Sequence, residues 1–216
     1  MRGARAMKLM LAGASGLVGQ QLLRRALAHP GVSRVIAPTR QALAPAPKLD
    51  NPVIDFERLP ADAPWWRVDA VICTLGTTMA QAGSEAAFRR VDHDYPLAVA
   101  RMARAAGASA FVLNSALGAA ADSRVFYNRV KGEVENAIIA LAYPSLTLVR
   151  PSLLDGGPRR DRRPGERIAL VFARVLRPVI PARYRAVRTD AVARTLLAAA
   201  LAQAPGVHII ESERIA

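Results

Sequence analysis

The chain has 216 residues, 52% hydrophobic and 22% charged with 14 glycines and 15 prolines, a balance that suits one folded domain with a sizeable core and excludes a disordered or repeat-built protein. A single cysteine, Cys73, rules out an internal disulfide and, with only three histidines, leaves no zinc-type ligand cluster, so the expected compartment is reducing and cytoplasmic. The net charge of +13 is concentrated late in the chain, where residues 150–194 hold twelve arginines against four acids, and it admits anionic partners without identifying one.

Residues 7–12 form an apolar run that ends in glycines, and residues 17–28 carry apolar positions at helical spacing until His29-Pro30-Gly31 stops them. This is strand, turn, helix. Arg2, Arg5 and Lys8 ahead of the first run imitate a secretory leader, but Gly13, Gly16 and Gly19 break its would-be apolar centre. Further strands are expected at 34–37, at 53–55 after the Pro-rich loop 44–47, and at 68–75. A long helix over 86–106, a strand at 110–114, a helix over 127–142 and a strand at 146–149 follow, the last closed by Arg150-Pro151. The pattern loosens at 156–164, then gives an amphipathic stretch at 166–176, a Pro-punctuated segment, a helix over 189–204 and a short strand at 207–210. Strands alternating with helices imply a doubly wound α/β domain, a parallel sheet covered on both faces, spanning 1–216 with 156–188 as an excursion within it. Arg174, Arg177 and Arg194 interrupt the late apolar runs, so a soluble protein with no membrane span is expected.

The first turn reads Gly13-Ala14-Ser15-Gly16-Leu17-Val18-Gly19 and joins the first strand to the first helix. Without side chains, its first two glycines let a pyrophosphate approach backbone N–H groups at a helix N-terminus, and the third lets the helix pack close to the strand. The spacing is that of a Rossmann dinucleotide site. An acid at the end of the second strand would hydrogen-bond the ribose 2′-hydroxyl of NAD, but Thr39-Arg40 stands there, and a guanidinium pairs with a 2′-phosphate. The expected cofactor is therefore NADP(H), with NAD(H) the alternative. Arg40 as a solvated side chain is the rival reading. Asp55 either meets the adenine end of the cofactor or is a turn carboxylate.

Tyr127 and Lys131 stand four apart on one helix face. A phenol titrates near ~10, and an adjacent ammonium favours the phenolate, so the pair suits general acid/base work at neutral pH. Ser115, at the end of the preceding strand, offers a hydroxyl to fix a substrate carbonyl.

With these residues, the chain resembles the short-chain dehydrogenase/reductase superfamily. The segments Val91-Asp92-His93-Asp94-Tyr95, Ser115-Ala116-Leu117-Gly118-Ala119 and Tyr127-Asn128-Arg129-Val130-Lys131-Gly132-Glu133-Val134-Glu135 are similar to its atypical, Tat-interacting-protein branch. The resemblance implies that Tyr127 donates a proton, Lys131 grips the nicotinamide ribose and aids Tyr127, and Ser115 orients the substrate. The cofactor-contacting set expected on this footing is Gly13, Ser15, Gly16, Leu17, Val18, Gly19, Thr39, Arg40, Asp55, Phe56, Leu75, Gly76 and Thr77, with Tyr127, Lys131, Arg150 and Pro151. The chain departs from the superfamily at Asp92, where many members carry an Asn that completes a proton relay.

Ser152, Leu153, Arg159 and Arg183 are the substrate-side candidates, in an excursion expected to act as a lid, with passive surface as the rival reading. Cys73 reads as a structural thiol, Gly76 as a point of close cofactor approach, and Gly132 as a close approach to the sheet or cofactor. Trp65-Trp66 reads as packing, with an interface patch as the alternative. The function expected is hydride transfer to or from a small carbonyl or activated double bond, in a monomer or homodimer. The alternative is a cofactor sensor whose NADP(H) occupancy controls a protein partner. Nucleic acid is not expected, because aromatic residues are only 5% and no stacking module is present.

Overall fold

The fold is described from a computed structural model, which covers residues 6–155 and 181–215. Its elements in chain order are β1 (Met7–Ala12), α1 (Leu17–Ala28), β2 (Val32–Ile36), β3 (Leu49–Asp50), β4 (Ala70–Cys73), α2 (Met79–Ala82), α3 (Glu85–Arg89), a π-helical turn (Arg90–Asp94) and α4 (Tyr95–Ala105). After these come β5 (Ala110–Asn114), α5 (Phe126–Ile139), β6 (Ser145–Arg150), β7 (Leu154–Asp155), β8 (Val187–Arg188), α6 (Thr189–Ala202) and β9 (Gly206–Glu211). Seven strands form one parallel sheet in the order β3-β2-β1-β4-β5-β6-β9.

The inner strands are apolar on both faces, which is why they read as unbroken hydrophobic runs. Leu9 and Leu11 of β1, Ile72 of β4 and Val112 of β5 pack with α1 and α6 on one face. Met10, Val71 and Phe111, their sequence neighbours, pack with α4 and α5 on the other. Helix α6 is tied to α1 by Asp190, which accepts hydrogen bonds from Arg25 and, at 2.6 Å, from Arg194.

Two expected elements differ in the structure. The third strand pairs with β2 at Leu49–Asp50, and Val53 makes only an isolated bridge to Thr39. Pro52 has no N–H to give Ala37 O and breaks the ladder there; the Asn51 side chain fills the gap, donating to Ala37 O at 2.5 Å and to Thr39 Oγ1 at 2.7 Å while accepting from Leu43 N–H at 2.7 Å. The single helix expected over 86–106 is broken into α3, the π turn and α4. Pro96, in the first turn of α4, has no N–H to return to the carbonyl of Asp92, so the backbone widens there.

Trp66 is buried and donates through Nε1 to Pro60 O at 2.8 Å, with Trp65 against it at 4.3 Å between ring centroids, as the packing reading requires. Gly132 approaches neither sheet nor cofactor site. A Cβ there would fall 2.2 Å from the Ala120 carbonyl carbon and the Ala121 nitrogen, so the glycine lets α5 lie directly on the loop after β5. The amphipathic stretch at 166–176, Arg159 and most of the expected lid lie outside the described residues. The two ends of that excursion are clasped by β7 and β8, which pair in parallel.

Phe111 is fully buried and packs its ring 5.3 Å from that of Tyr143. Phe111→Ala should lower the free energy of unfolding by about 3–5 kcal/mol in urea denaturation. Ile209→Ala, at a position 42% exposed on the edge strand, should change it by about 0.5 kcal/mol or less.

Candidate active site

The glycine turn is built by contact with the end of β4. Gly13 has φ +95°, and a Cβ on it would lie 2.7 Å from the carbonyl carbon and hydroxyl of Thr74. Thr74 in turn donates to Ala12 O and Gly13 O, both at 3.2 Å. Gly19 is more constrained still, since its Cβ would fall 2.0 Å from Gly13 O. Helix α1 therefore begins hard against the turn, with no side chain capping its first N–H groups.

In front of this turn lies a cavity of about 600 Å³. Of the expected contacts, Gly13, Ser15, Gly16, Thr39, Arg40, Phe56 and residues 75–77 line it. Leu17, Val18 and Gly19 stand behind the wall in α1, Val18 and Gly19 being buried. Thr39 is buried and held by Gln41 O and Asn51, whereas Arg40 is exposed at the rim. Asp55 is exposed outside the lining and accepts from Glu57 N–H at 2.9 Å, the geometry of a turn carboxylate.

The far wall is a part of the site not singled out from sequence: Gln81, Ala82, Ala87, Val91 and Tyr95, from α2, α3, the π turn and α4. Its signal was present in two helix-start residues, Thr78 and Ser84, whose hydroxyls accept from Gln81 N–H and Ala87 N–H. Tyr95 stacks on Phe56 with centroids 5.6 Å apart and donates to Glu57 Oε1 at 2.5 Å. Burial and the Glu57 carboxylate push its phenol up to about 12.

Behind residues 75–77 is a buried ion pair. Lys131 Nζ lies 2.7 Å from Asp92 Oδ1, with the two side chains 6% and 1% exposed. The other oxygen, Asp92 Oδ2, accepts from Thr77 N–H at 2.8 Å. A Cβ on Gly76 would come within 3.1 Å of Asp92 Oδ1 and 3.7 Å of Lys131 Nζ, so Gly76 lets the cavity wall rest on the pair. Burial works against the Lys131 charge, but Asp92 and Tyr127 outweigh it and hold the ammonium above its ordinary value.

Tyr127 begins the turn of α5 before Lys131, half-buried with its ring 5.4 Å from that of Phe88. The expected lowering of its phenol is not found. Burial raises it, Asp92 adds to the rise, and Lys131 only opposes them in part, so Tyr127 is a neutral phenol at neutral pH. Ser115 follows β5 with its N–H donating to Val149 O at 2.7 Å; its buried hydroxyl and the neighbouring Asn114 Oδ1 have no partner among the described residues. The cavity does not extend to Ser115, Tyr127 or Lys131. Cys73, fully buried, is pushed up to about 12 by desolvation and is a neutral thiol.

Arg150 sits away from the cavity. It grips Glu135 through two hydrogen bonds, at 3.0 and 2.5 Å, and Glu211 at 3.0 Å, tying α5 to β6 and β9. Pro151 O accepts from Leu117 N–H at 2.8 Å and steadies the loop after Ser115. On the substrate side, Ser152 bonds Arg185 O and Ser212, Leu153 is 62% exposed, and Arg183 is exposed with its guanidinium 4.6 Å over the Tyr184 ring.

No known protein-family profile matches the chain. It is 35% identical over 178 residues to the protein fmp52, mitochondrial, of Emericella nidulans, covering 77% of this chain and 74% of that one. It is 38% identical over 169 residues to the protein HTATIP2 of Rattus norvegicus, covering 76% and 69%. Among solved structures it shares its fold with MoeE5 in complex with UDP-glucose and NAD, at TM-score 0.70 and 17% identity over 94% of this chain and 74% of that one. The Bordetella bronchiseptica enzyme WbmG in complex with NAD is similar at TM-score 0.67 and 15% identity over 98% and 74%. The cytoplasmic expectation is overturned, because the Fmp52 relatives, that of Saccharomyces cerevisiae included, are named mitochondrial. A lone cysteine excludes an internal disulfide but does not distinguish one reducing compartment from another.

Arg150→Met should strand the buried Glu135 carboxylate and cost about 3–5 kcal/mol in the ligand-free protein, read by urea denaturation.

Proposed function

The chain belongs to the family of the HTATIP2 and Fmp52 proteins, an atypical branch of the short-chain dehydrogenases/reductases, and we propose that it is an oxidoreductase using a nicotinamide dinucleotide, NADPH in preference to NADH. Its substrate on this reading is a small molecule bearing a carbonyl or activated double bond. The observation that carries the proposal is Tyr127, a neutral phenol, one helical turn from a lysine ammonium that backs onto the wall of the glycine-turn cavity.

The residues present fit a dinucleotide. The Gly13 position has no room for a side chain, and the uncapped N–H groups of α1 are donors for a pyrophosphate. Arg40 at the rim would pair with a 2′-phosphate, and Phe56 would pack against an adenine. When bound, the dinucleotide supplies the hydride. Lys131 would donate to a ribose hydroxyl, Ser115 Oγ would hydrogen-bond the substrate oxygen, and Tyr127 would give that oxygen its proton and regain one from solvent. A cofactor-sensing role without turnover finds no residue contact that favours it.

Thermal-shift titration tests the cofactor reading, because a ligand that prefers the folded state raises apparent stability. NADPH should bind more tightly than NADH, and Arg40→Ala should weaken NADPH alone by roughly tenfold, the loss of one charge-assisted pairing of about 1.5 kcal/mol. Equal affinities in the unmutated protein would remove the case for NADPH. Tyr127→Phe should keep dinucleotide binding and lose about a hundred- to ten-thousand-fold in turnover, measured as NADPH consumption over a carbonyl library.

A further inference from the structure

Asp92 holds the position at which many superfamily members carry an Asn, and its surroundings differ from those of a relay residue. It is 1% exposed and carries two committed contacts, one oxygen to Lys131 and the other to Thr77 N–H. It is delivered there by the π turn, the one widened stretch in an otherwise regular run of helix. The chain places two desolvated charges in this contact. A buried pair of this kind contributes little net stability, since desolvation offsets the attraction, so its persistence calls for another reason.

The arrangement supplies one. Lys131 is buried, and an isolated lysine so placed would shed its proton. The groups that face it are Asp92 from the π turn, Tyr127 from its own helix and Cys73 from β4. Asp92 is the carboxylate among them, and the thiol and the phenol are neutral. Asp92 is thus the counter-ion for Lys131, and through Thr77 N–H it also pins the cavity wall against the ammonium. A neutral Asn has one acceptor oxygen for the two donors, Lys131 and Thr77 N–H, and would turn its NH₂ toward one of them.

We propose that Asp92 is the positioning residue of the Ser115, Tyr127, Lys131 set, holding Lys131 as an ammonium against the Gly76 wall before any dinucleotide arrives. This rests on the reading of the site as a dinucleotide-dependent oxidoreductase for its purpose, though not for its test. At Tyr127 the phenol is kept protonated chiefly by burial, and the Asp92 carboxylate works in the same direction against the lysine's field, as a proton donor requires.

The chain has three lysines, Lys8, Lys48 and Lys131, so lysine-selective isotope labelling gives three side-chain NMR signals, with Lys131 assigned by its loss in Lys131→Met. The ligand-free protein is titrated. Lys131 should keep its proton above the ordinary lysine value of ~10.4, and in Asp92→Asn its proton affinity should fall at least tenfold, about one pH unit. Asp92→Glu, which keeps the charge, should recover part of that loss. A Lys131 signal that titrates below the ordinary lysine value in the unmutated protein overturns the proposal without recourse to any variant. An unmoved titration in folded Asp92→Asn overturns it too. Because no cofactor is present, NADPH binding with an unmoved Lys131 sinks this inference alone, whereas a moved Lys131 without NADPH binding sinks the oxidoreductase reading and leaves the counter-ion role standing.

Discussion

The central constraint on this molecule is that its inner strands are buried on both faces. A strand such as β4, whose four residues are all buried, has no room for polar chemistry along its length. Polar groups are therefore driven to where the strands stop, and in a parallel sheet all the carboxyl ends stop on the same side. Gly13 follows β1, Thr39 and Arg40 follow β2, Thr74 and residues 75–77 follow β4, and Ser115 follows β5. The site is thus a consequence of the sheet, gathered from segments far apart in the chain by a rule that acts on each strand separately.

Close backbone packing then decides where the gathered groups sit. Three glycines do this at different places: Gly19 seats α1 on the turn, Gly132 seats α5 on the loop after Ser115, and Gly76 lets the cavity wall rest on Asp92 and Lys131. Tyr127 and Lys131 lie on the same helix as Gly132, so the seating of α5 fixes the height of both. Arg150 fixes that helix from the other end by holding Glu135, one turn beyond Lys131. The ion pair that resembles a site residue in sequence is in this sense part of the frame.

Local signals were legible wherever one physical cause dominated. The runs at 7–12 and 17–28 carry a single periodicity bounded by glycine or proline, and β1 and α1 occupy those residues. The glycine turn was readable because its mechanism demands a strand before it and a helix after it. What was not readable depended on partners distant in sequence. Val53 and Ile54 have the β-branched character of a strand, yet Pro52 leaves Ala37 O to the Asn51 side chain, so the pairing beyond Asp50 shrinks to a bridge at Thr39. Nothing local to Tyr127 announces that burial raises its phenol by more than the Lys131 ammonium lowers it, with Asp92, 39 residues before Lys131, adding to the rise, so the expected fall reversed. The far wall failed for a third reason: α2 and α3 have four and five residues, too few to show a helical period.

The clasp between β7 and β8 separates two histories. Leu154 and Val187 pack against the core, and Val187 N–H donates to Leu153 O at 2.9 Å, so both ends of the excursion are fastened before the chain leaves the sheet and again as it returns. Lengthening a loop between fixed ends costs only about 0.6 kcal/mol per doubling. Leu154–Asp155 and Val187–Arg188 are accordingly fixed points: a change of length between them leaves the register of the seven-stranded sheet to be set elsewhere, and a protein engineer varying the intervening segment has the splice points already marked.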